Sequence, residues 1–252
     1  MIPGYEIVEH ISRSKTLDVY DVYSEHRDCR CIAKRLRPDM DNERRRRRLR
    51  NEARLLLRLS HPHIVRAYEL IERPVPVLIL ETLTGETLGH LISRSRRRLA
   101  AEDVAFLGLH VCSALHYLHA EGVLHLDLKP SNVVTDNGQA KLLDLSIARP
   151  RGRGKRGVGT RQYMAPEQVR GGMLSEATDV FGVGATLFEA ATGAMPFPGG
   201  DQLERRAARL RQLRPRLPRP LGDAIDSALE PDPAARPSVR ELADSLDAAI
   251  PG

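Results

Sequence analysis

One short polar stretch carries the residues best suited to chemistry. It runs from His125 to Asn132 and contains the carboxylate Asp127, the cation Lys129 and the amide of Asn132. A further carboxylate, Asp144, follows twelve residues after the amide. Phosphoryl transfer requires such a set, because a carboxylate orients or accepts the proton of the attacking hydroxyl and oxygen ligands hold Mg²⁺. Any one of these residues alone fits a polar loop with a helix cap, but the complete set favours phosphoryl transfer.

The elements that must position this stretch fall into two groups. The first third of the chain has short β-rich stretches separated by polar turns, and one helical period interrupts them. Strands are predicted over 5–11, 17–23, 30–36, 65–71 and 75–81, and a helix over 41–60 with Asp41 as its N-cap.

After Thr84-Gly85 the pattern changes to that of long helices. Helices are predicted over 87–96, 101–121, 175–192, 202–212, 220–230 and 238–249, and short strands over 132–135 and 140–143. The sequence therefore predicts an α+β protein with a small β-rich domain over residues 1–84 and a larger helical domain over residues 85–252. Ligands commonly bind in clefts between two such lobes.

Composition excludes several classes of protein. The chain has 252 residues, of which 41% are hydrophobic and 29% charged, so it is neither disordered nor collagen-like. Its three cysteines are an odd number without a CxxC pair, which argues against a disulfide framework or a zinc site. Apolar runs such as Val77–Leu80 are far shorter than the ~18 residues of a membrane span, and no signal peptide is recognisable. We expect a cytoplasmic protein that receives any regulatory signal from another molecule.

The formal net charge of +6 comes almost entirely from arginine. The arginines are spread along the whole chain, which favours an ordinary solvated surface and makes nucleic-acid binding the weaker interpretation. Two denser basic stretches have two possible interpretations, a solvated surface or a docking site for an acidic partner. They are Arg44–Arg48 and the segment that contains Arg149, Arg151, Arg153, Lys155 and Arg156.

Several motifs, in one order, resemble those of the eukaryotic-like (Hanks-type) serine/threonine protein kinases of bacteria. They are Cys31-Ile-Ala-Lys34, Glu52 in a helical stretch, His61-Pro-His-Ile-Val65, His125 to Asn132, Asp144-Leu-Ser146, Gly159 to Glu167, Asp179, and Asp232 to Pro237. The resemblance covers nearly the whole chain. It implies a two-lobed protein kinase fold, with a small five-stranded antiparallel N-lobe that carries one helix (helix C) and a mainly helical C-lobe.

The resemblance also implies roles for the matched residues. Lys34 would bind the phosphates of ATP, Glu52 would pair with Lys34, and Asn132 and Asp144 would bind Mg²⁺ or Mn²⁺. Asp127 would act as the base, with Lys129 near the transferred phosphoryl group and Thr160 beside them. The pair Lys129 and Thr160 is typical of kinases that phosphorylate serine or threonine.

The remainder of the nucleotide site follows from the same resemblance. Val19 and Ala33 would lie above the adenine, Val134 below it and Leu80 at its edge as the gatekeeper, and the backbone of Glu81 and Leu83 would bond to it. Ile11, Ser12 and Ser14 would line the loop over the phosphates.

Three departures from the family pattern matter. Ser12, Ser14 and Leu17 stand where the glycine-rich loop has its glycines, so we expect weaker nucleotide binding or a stiffer lid over the nucleotide. Leu126 replaces the arginine that receives an activation-loop phosphate in many kinases, and Ser146 is the one hydroxyl between Asp144 and Gly159. Ser146 itself replaces the glycine of the DFG motif.

The residues and the resemblance together predict a serine/threonine protein kinase. Such an enzyme would transfer the γ-phosphoryl group of ATP to protein hydroxyls, independently of activation-loop phosphorylation. The alternative is a nucleotide-binding pseudokinase that acts as a scaffold by docking a partner, and the loop without glycines is its support.

Overall fold

The computed structural model describes residues 2–95, 98–136 and 138–250. The chain divides into two compact units. The first comprises Met1–Thr84 together with Asp144–Ser146, and the second comprises Gly85–Leu143 together with Ile147–Gly252. Within the described ranges, no helix is both long and apolar enough to cross a membrane.

A five-stranded antiparallel sheet forms most of the first unit, in the order β1-β2-β3-β5-β4. The strands are β1 (Tyr5–Arg13), β2 (Leu17–Ser24), β3 (Cys29–Leu36), β4 (Ala67–Ile71) and β5 (Val77–Glu81). Side chains alternate between the two faces of such a sheet. One face buries an apolar cluster of Ile2, Tyr5, Val22, Cys31, Ala33, Val77 and Ile79.

One long helix, α1 (Glu43–Arg58), completes the first unit. It buries Leu49, Glu52, Ala53 and Leu56, whose spacing of three to four residues places them on one face. The side chain of Asn42 caps the helix by accepting a hydrogen bond from the backbone N–H of Arg45 at 3.0 Å. The prediction of Asp41 as the cap is therefore wrong. Asp41 instead accepts a hydrogen bond from Arg46 Nε at 2.7 Å.

The second unit is mainly helical. Its helices are α2 (Leu88–Ser95), α3 (Ala101–Ala120), α4 (Pro166–Arg170), α5 (Glu176–Thr192), α6 (Leu210–Leu213), α7 (Arg219–Ala228) and α8 (Val239–Asp247). Its strands are β6 (Glu86–Thr87), β7 (Val133–Asp136), β8 (Gln139–Leu142), β9 (Gly152–Arg153) and β10 (Met173–Leu174). The first three form one small sheet and the last two pair with each other. These elements confirm the predicted α+β class, with its small antiparallel sheet, one helix beside it and a mainly helical remainder.

Helix α5 is buried along most of its length and packs against the polar loop His125–Asn132. Its residue Gly182 packs against Leu128, and an added Cβ would lie 3.0 Å from the Cβ of Leu128. Glycine therefore allows α5 to approach the loop closely.

The predicted helix over 202–212 is wrong, because only its last part is helical, in α6. The side chain of Gln202 is buried and donates hydrogen bonds to the carbonyls of Arg161 and Met164, each at 2.7 Å. The carboxylate of Asp226 accepts from the backbone N–H of Leu210 at 3.0 Å. The residues of this segment are good helix formers, but propensity is a weak preference, and these long-range bonds hold the segment in an irregular path instead.

Candidate active site

The first unit contains a buried group of three charged side chains. Lys34 on β3 donates a hydrogen bond from Nζ to Glu52 Oε1 on α1 at 2.7 Å. The same Nζ lies 3.5 Å from Asp144 Oδ2. Burial lowers the pKa of Lys34, but the two carboxylates more than offset this, so the net shift is upward and the ammonium stays charged. The sequence prediction named all three residues, and the structure brings them together.

The segment after Asp144 is also tied to this unit. The backbone N–H of Ser146 donates to Asp144 Oδ1 at 2.7 Å, which orients the carboxylate. Arg48 on α1 donates to the Ser146 carbonyl at 3.0 Å and to its hydroxyl at 3.1 Å. The predicted site did not include Arg48. The signal that could have found it is its position four residues before Glu52, on the same face of the helix.

The face of the sheet that carries Lys34 also carries apolar side chains suited to an aromatic base. Val19 is paired with Lys34, and Leu80 is paired with Ile32, so these side chains share that face. Ala33 lies on the opposite face, within the buried apolar cluster. This placement does not fit the predicted contact of Ala33 with adenine, because neighbouring residues of a strand point in opposite directions. Ile32 has the position on the Lys34 face instead.

The other predicted adenine residues lie in both units. In the first unit, Glu81 is the last residue of β5 and Leu83 follows it, while the side chain of Ile11 on β1 is exposed. In the second unit, Val134 is buried on β7. Their roles toward a nucleotide stay predictions from the resemblance.

The hairpin of β1 and β2 closes without a glycine. The hydroxyl of Ser14 accepts hydrogen bonds from the backbone N–H groups of Thr16 at 3.3 Å and Leu17 at 3.0 Å. The backbone N–H of Ser14 donates to the Leu17 carbonyl at 2.8 Å. Leu17 does not have a positive φ, since Asp28 and Leu126 are the only non-glycine residues with one in the described part of the chain. The conformation that would demand glycine is therefore absent from this turn, where Ser12 lies opposite Val19.

A buried carboxylate crosslinks the same hairpin. Asp18 is 1% exposed and accepts hydrogen bonds from Arg13 Nε at 2.7 Å and from Arg13 Nη2 at 3.2 Å. His10 Nε2 lies 3.1 Å from the same carboxylate. The Arg13 guanidinium holds the pKa of Asp18 below its ordinary value, although burial opposes this shift. These bonds join the two strands next to the turn.

In the second unit, the polar loop places four functional groups around one carboxylate. Asp127 accepts at Oδ2 from Lys129 Nζ at 2.8 Å and from Asn132 Nδ2 at 3.1 Å. At Oδ1 it accepts from the backbone N–H and the hydroxyl of Thr160, at 2.9 and 2.7 Å. Lys129 Nζ also donates to the Thr160 hydroxyl at 2.7 Å. The structure thus brings together the four residues predicted for this loop and its partner segment.

Asp179 on α5 fixes the backbone of this loop by hydrogen bonds. It is 1% exposed and accepts hydrogen bonds from the backbone N–H groups of His125 at 2.8 Å and Leu126 at 2.7 Å. His119 Nε2 lies 2.8 Å from the same carboxylate. Leu126 has a φ of 68°, a left-handed conformation that costs free energy for a residue with a side chain. The bonds to Asp179 therefore stabilise a strained turn directly before Asp127.

Two further contacts anchor the segment that contains Thr160. The guanidinium of Arg236 binds both carboxylate oxygens of Glu167, at 2.8 and 2.9 Å. Gln168 donates from Nε2 to the carbonyls of Leu126 at 2.7 Å and Val158 at 2.8 Å. Both residues of the first contact lie in motifs that the sequence analysis matched to the family. Sequence reasoning missed Gln168, since an amide beside a helical motif carries no signal of its own.

Comparison with known proteins agrees with this geometry. Residues 5–246 match the protein kinase domain family, and the chain belongs to that family.

Its relatives include several bacterial kinases. The chain is 37% identical over 216 residues to "Serine/threonine-protein kinase PkaA" of Streptomyces coelicolor, covering 79% of this chain and 39% of the relative. It is 32% identical over 232 residues to "Serine/threonine-protein kinases PknA" of Corynebacterium glutamicum, covering 84% of this chain and 49% of the relative. These matches confirm the resemblance to bacterial serine/threonine kinases. In these alignments the chain spans less than half the length of either relative.

Proposed function

We propose that this chain is an ATP-dependent serine/threonine protein kinase. The observation that carries the proposal is the arrangement around Asp127, whose carboxylate is bonded by both Lys129 and Thr160. Membership of the protein kinase family and relatives named as serine/threonine kinases support it. The intact set of charged residues in each unit does not favour the pseudokinase alternative.

The reaction we assign is a direct transfer between two oxygen atoms. The oxygen of the acceptor hydroxyl bonds to the γ-phosphorus of ATP, while the bond from that phosphorus to the bridging oxygen of the β-phosphate breaks and ADP leaves. Asp127 orients the acceptor hydroxyl and takes its proton. Lys129 neutralises negative charge on the transferred group, and the bond from its Nζ to Asp127 keeps the ammonium beside the reacting oxygen.

We assign the nucleotide and its metal to the following residues on the strength of the family pattern. We assign Lys34 to the phosphates, and Ile32 in place of Ala33 to the adenine contact. Asn132 uses its Nδ2 group to bind Asp127, so its amide oxygen is the atom available to a cation. That oxygen and the carboxylate of Asp144 are hard ligands of the kind that Mg²⁺ or Mn²⁺ prefers. When bound, the metal neutralises charge on the phosphates.

We further propose that activity does not require phosphorylation of the segment between Asp144 and Gly159. This segment offers the hydroxyl of Ser146 as its one acceptor, and that hydroxyl is bonded to Arg48. The arginine that would receive a phosphate is replaced by Leu126, whose side chain is buried. Phosphorylation therefore has no receptor of the usual kind here.

The substrate class we propose is a protein with acidic residues near the acceptor hydroxyl. Residues 147–166 contain six arginine or lysine residues and no carboxylate, and Arg153, Lys155 and Arg156 are exposed. Cations at this density attract acidic peptides. The run Arg44–Arg48 is the weaker docking candidate, because Arg46 is paired with Asp41 and Arg48 is bonded to Ser146.

Transfer of label from γ-labelled ATP tests the proposed kinase activity and the proposed substrate class. Serine and threonine peptides with acidic, neutral or basic flanks are compared, with Asp127→Asn as the inactive control. Stronger label on the acidic peptides than on the others, lost in Asp127→Asn, supports the kinase activity and the substrate class. Equal labelling of all peptides would refute only the substrate class. Absence of label, together with a nucleotide-induced rise in melting temperature, would instead favour a scaffold.

A further inference from the structure

We propose that Arg48 and Ser146 form a positioning pair that holds the catalytic lysine, glutamate and aspartate of the first unit in place without a phosphate. The inference rests on the proposed kinase function. Arg48 Nε donates to the Ser146 carbonyl at 3.0 Å, and Nη2 donates to the Ser146 hydroxyl at 3.1 Å. The two residues are 98 positions apart in the chain, so these two hydrogen bonds connect distant segments of one compact unit.

The pair closes a ring of contacts around the charged group. The backbone N–H of Ser146 donates to Asp144 Oδ1 at 2.7 Å, and Asp144 Oδ2 lies 3.5 Å from Lys34 Nζ. Lys34 Nζ in turn donates to Glu52 Oε1 at 2.7 Å. Glu52 and Arg48 are four residues apart on α1 and therefore lie on the same face of the helix. Because two members of the ring come from one helix, a shift of α1 that breaks the bonds of Arg48 also disturbs the pair of Lys34 and Glu52.

The pair also explains one departure from the family pattern and one unusual feature of α1. Ser146 stands where the DFG motif has glycine, and glycine has no hydroxyl to accept the bond from Nη2. Arg48 ends a run of five arginines that begins in the first turn of α1, where the helix dipole disfavours cations. Its bonds to Ser146 supply a structural reason for a cation at this position. The planar guanidinium fork binds the carbonyl and the hydroxyl together, which a lysine ammonium does with less geometric constraint.

Kinetics of single and double variants test the pair. We expect Arg48→Ala to lower kcat about tenfold and Ser146→Gly to lower it by a smaller factor, with little change in KM for the acceptor peptide, because Arg48→Ala removes both charge-assisted bonds and Ser146→Gly removes only the bond to the hydroxyl. The double variant is expected to lose no more than Arg48→Ala alone, since the bond that Ser146→Gly removes is one of the two that Arg48→Ala already removes. Arg48→Lys should recover part of the loss. Arg54→Ala is the matched control, because Arg54 is an exposed arginine of the same helix whose side chain bonds within that helix to Asn51.

Hydrogen exchange supplies a readout that does not depend on activity. Without nucleotide, Arg48→Ala and Ser146→Gly should speed amide exchange in α1 and at residues 144–146, while Arg54→Ala should not. The proposal is overturned if the two variants match Arg54→Ala in turnover and exchange, or if their effects on kcat add independently. If the wild-type chain labels no acceptor, the proposed function fails, and the exchange comparison still decides whether the pair orders the site.

Discussion

The polar loop His125–Asn132 and the hairpin of β1 and β2, which lie in different units, relate to the family pattern in opposite ways. The loop keeps Asp127, Lys129 and Asn132, while the hairpin has lost its glycines. In the loop, the chemistry depends on particular atoms, since only a carboxylate can accept the bonds that Asp127 accepts. In the hairpin, the requirement is a tight turn, and the hydroxyl of Ser14 closes one with an ordinary backbone.

The two regions nevertheless share one feature. In each, a buried carboxylate accepts hydrogen bonds that fix the chain, either the backbone of the polar loop or the two strands of the hairpin. Asp179 fixes the polar loop and Asp18 fixes the hairpin, and each is 1% exposed. The partners differ, because Asp179 accepts from two buried backbone N–H groups, whereas Asp18 is bonded to the partly exposed side chains of Arg13 and His10. Replacing each carboxylate by the amide of the same shape sharpens this comparison.

The largest effect is expected for Asp179→Asn. The amide weakens two charge-assisted bonds to the strained turn at Leu126, so the free energy of unfolding should fall by about 2–3 kcal/mol. Kinase activity should fall with it, because the turn positions Asp127. Urea unfolding measures the stability. Asp223→Asn is the control, since its side chain is 63% exposed, and a loss as large as that of Asp179→Asn in this control would contradict the interpretation.

A smaller, pH-dependent effect is expected for Asp18→Asn. The loss of stability at pH 7 should be about 1 kcal/mol, because the partner side chains are partly hydrated. The pKa of Asp18 is lowered in the folded protein, so its contribution is complete above the unfolded value of about 3.9 and disappears as pH falls through the folded value. The difference in Tm between wild type and Asp18→Asn should therefore shrink between pH 7 and pH 3. A difference that stays constant over this range would show that the charge of Asp18 does not stabilise the hairpin.

The smallest effect is expected for Ser14→Ala. Its hydroxyl is exposed and water can replace it, so stability should fall by only about 0.5 kcal/mol. If the hydroxyl shapes the turn over the nucleotide, KM for ATP should rise a few-fold while kcat remains nearly unchanged. Steady-state kinetics measure both constants, with Ser245→Ala in α8 as the control. A fall in kcat without a change in KM would place Ser14 outside nucleotide binding.

Much of the site was predictable from the sequence because its signals are local. The polar loop carries its residue types within eight positions, and the strands and most helices follow from hydrophobic periodicity over short windows. The face of β3 was also predictable in principle. Strict alternation puts Ile32, and not Ala33, on the same side as Lys34, and this is why we propose Ile32 for the contact that the resemblance assigns to Ala33.

What the sequence by itself determined is therefore the family, the order of the elements and a set of candidate catalytic groups. The tertiary structure decided which distant residues support those groups. Arg48 and Ser146 meet across 98 positions, Gln168 reaches the carbonyl of Leu126, and Gln202 holds an expected helix in an irregular path. The physical reason is that such bonds depend on where the packed elements bring two side chains, and neither residue type nor local periodicity carries that information.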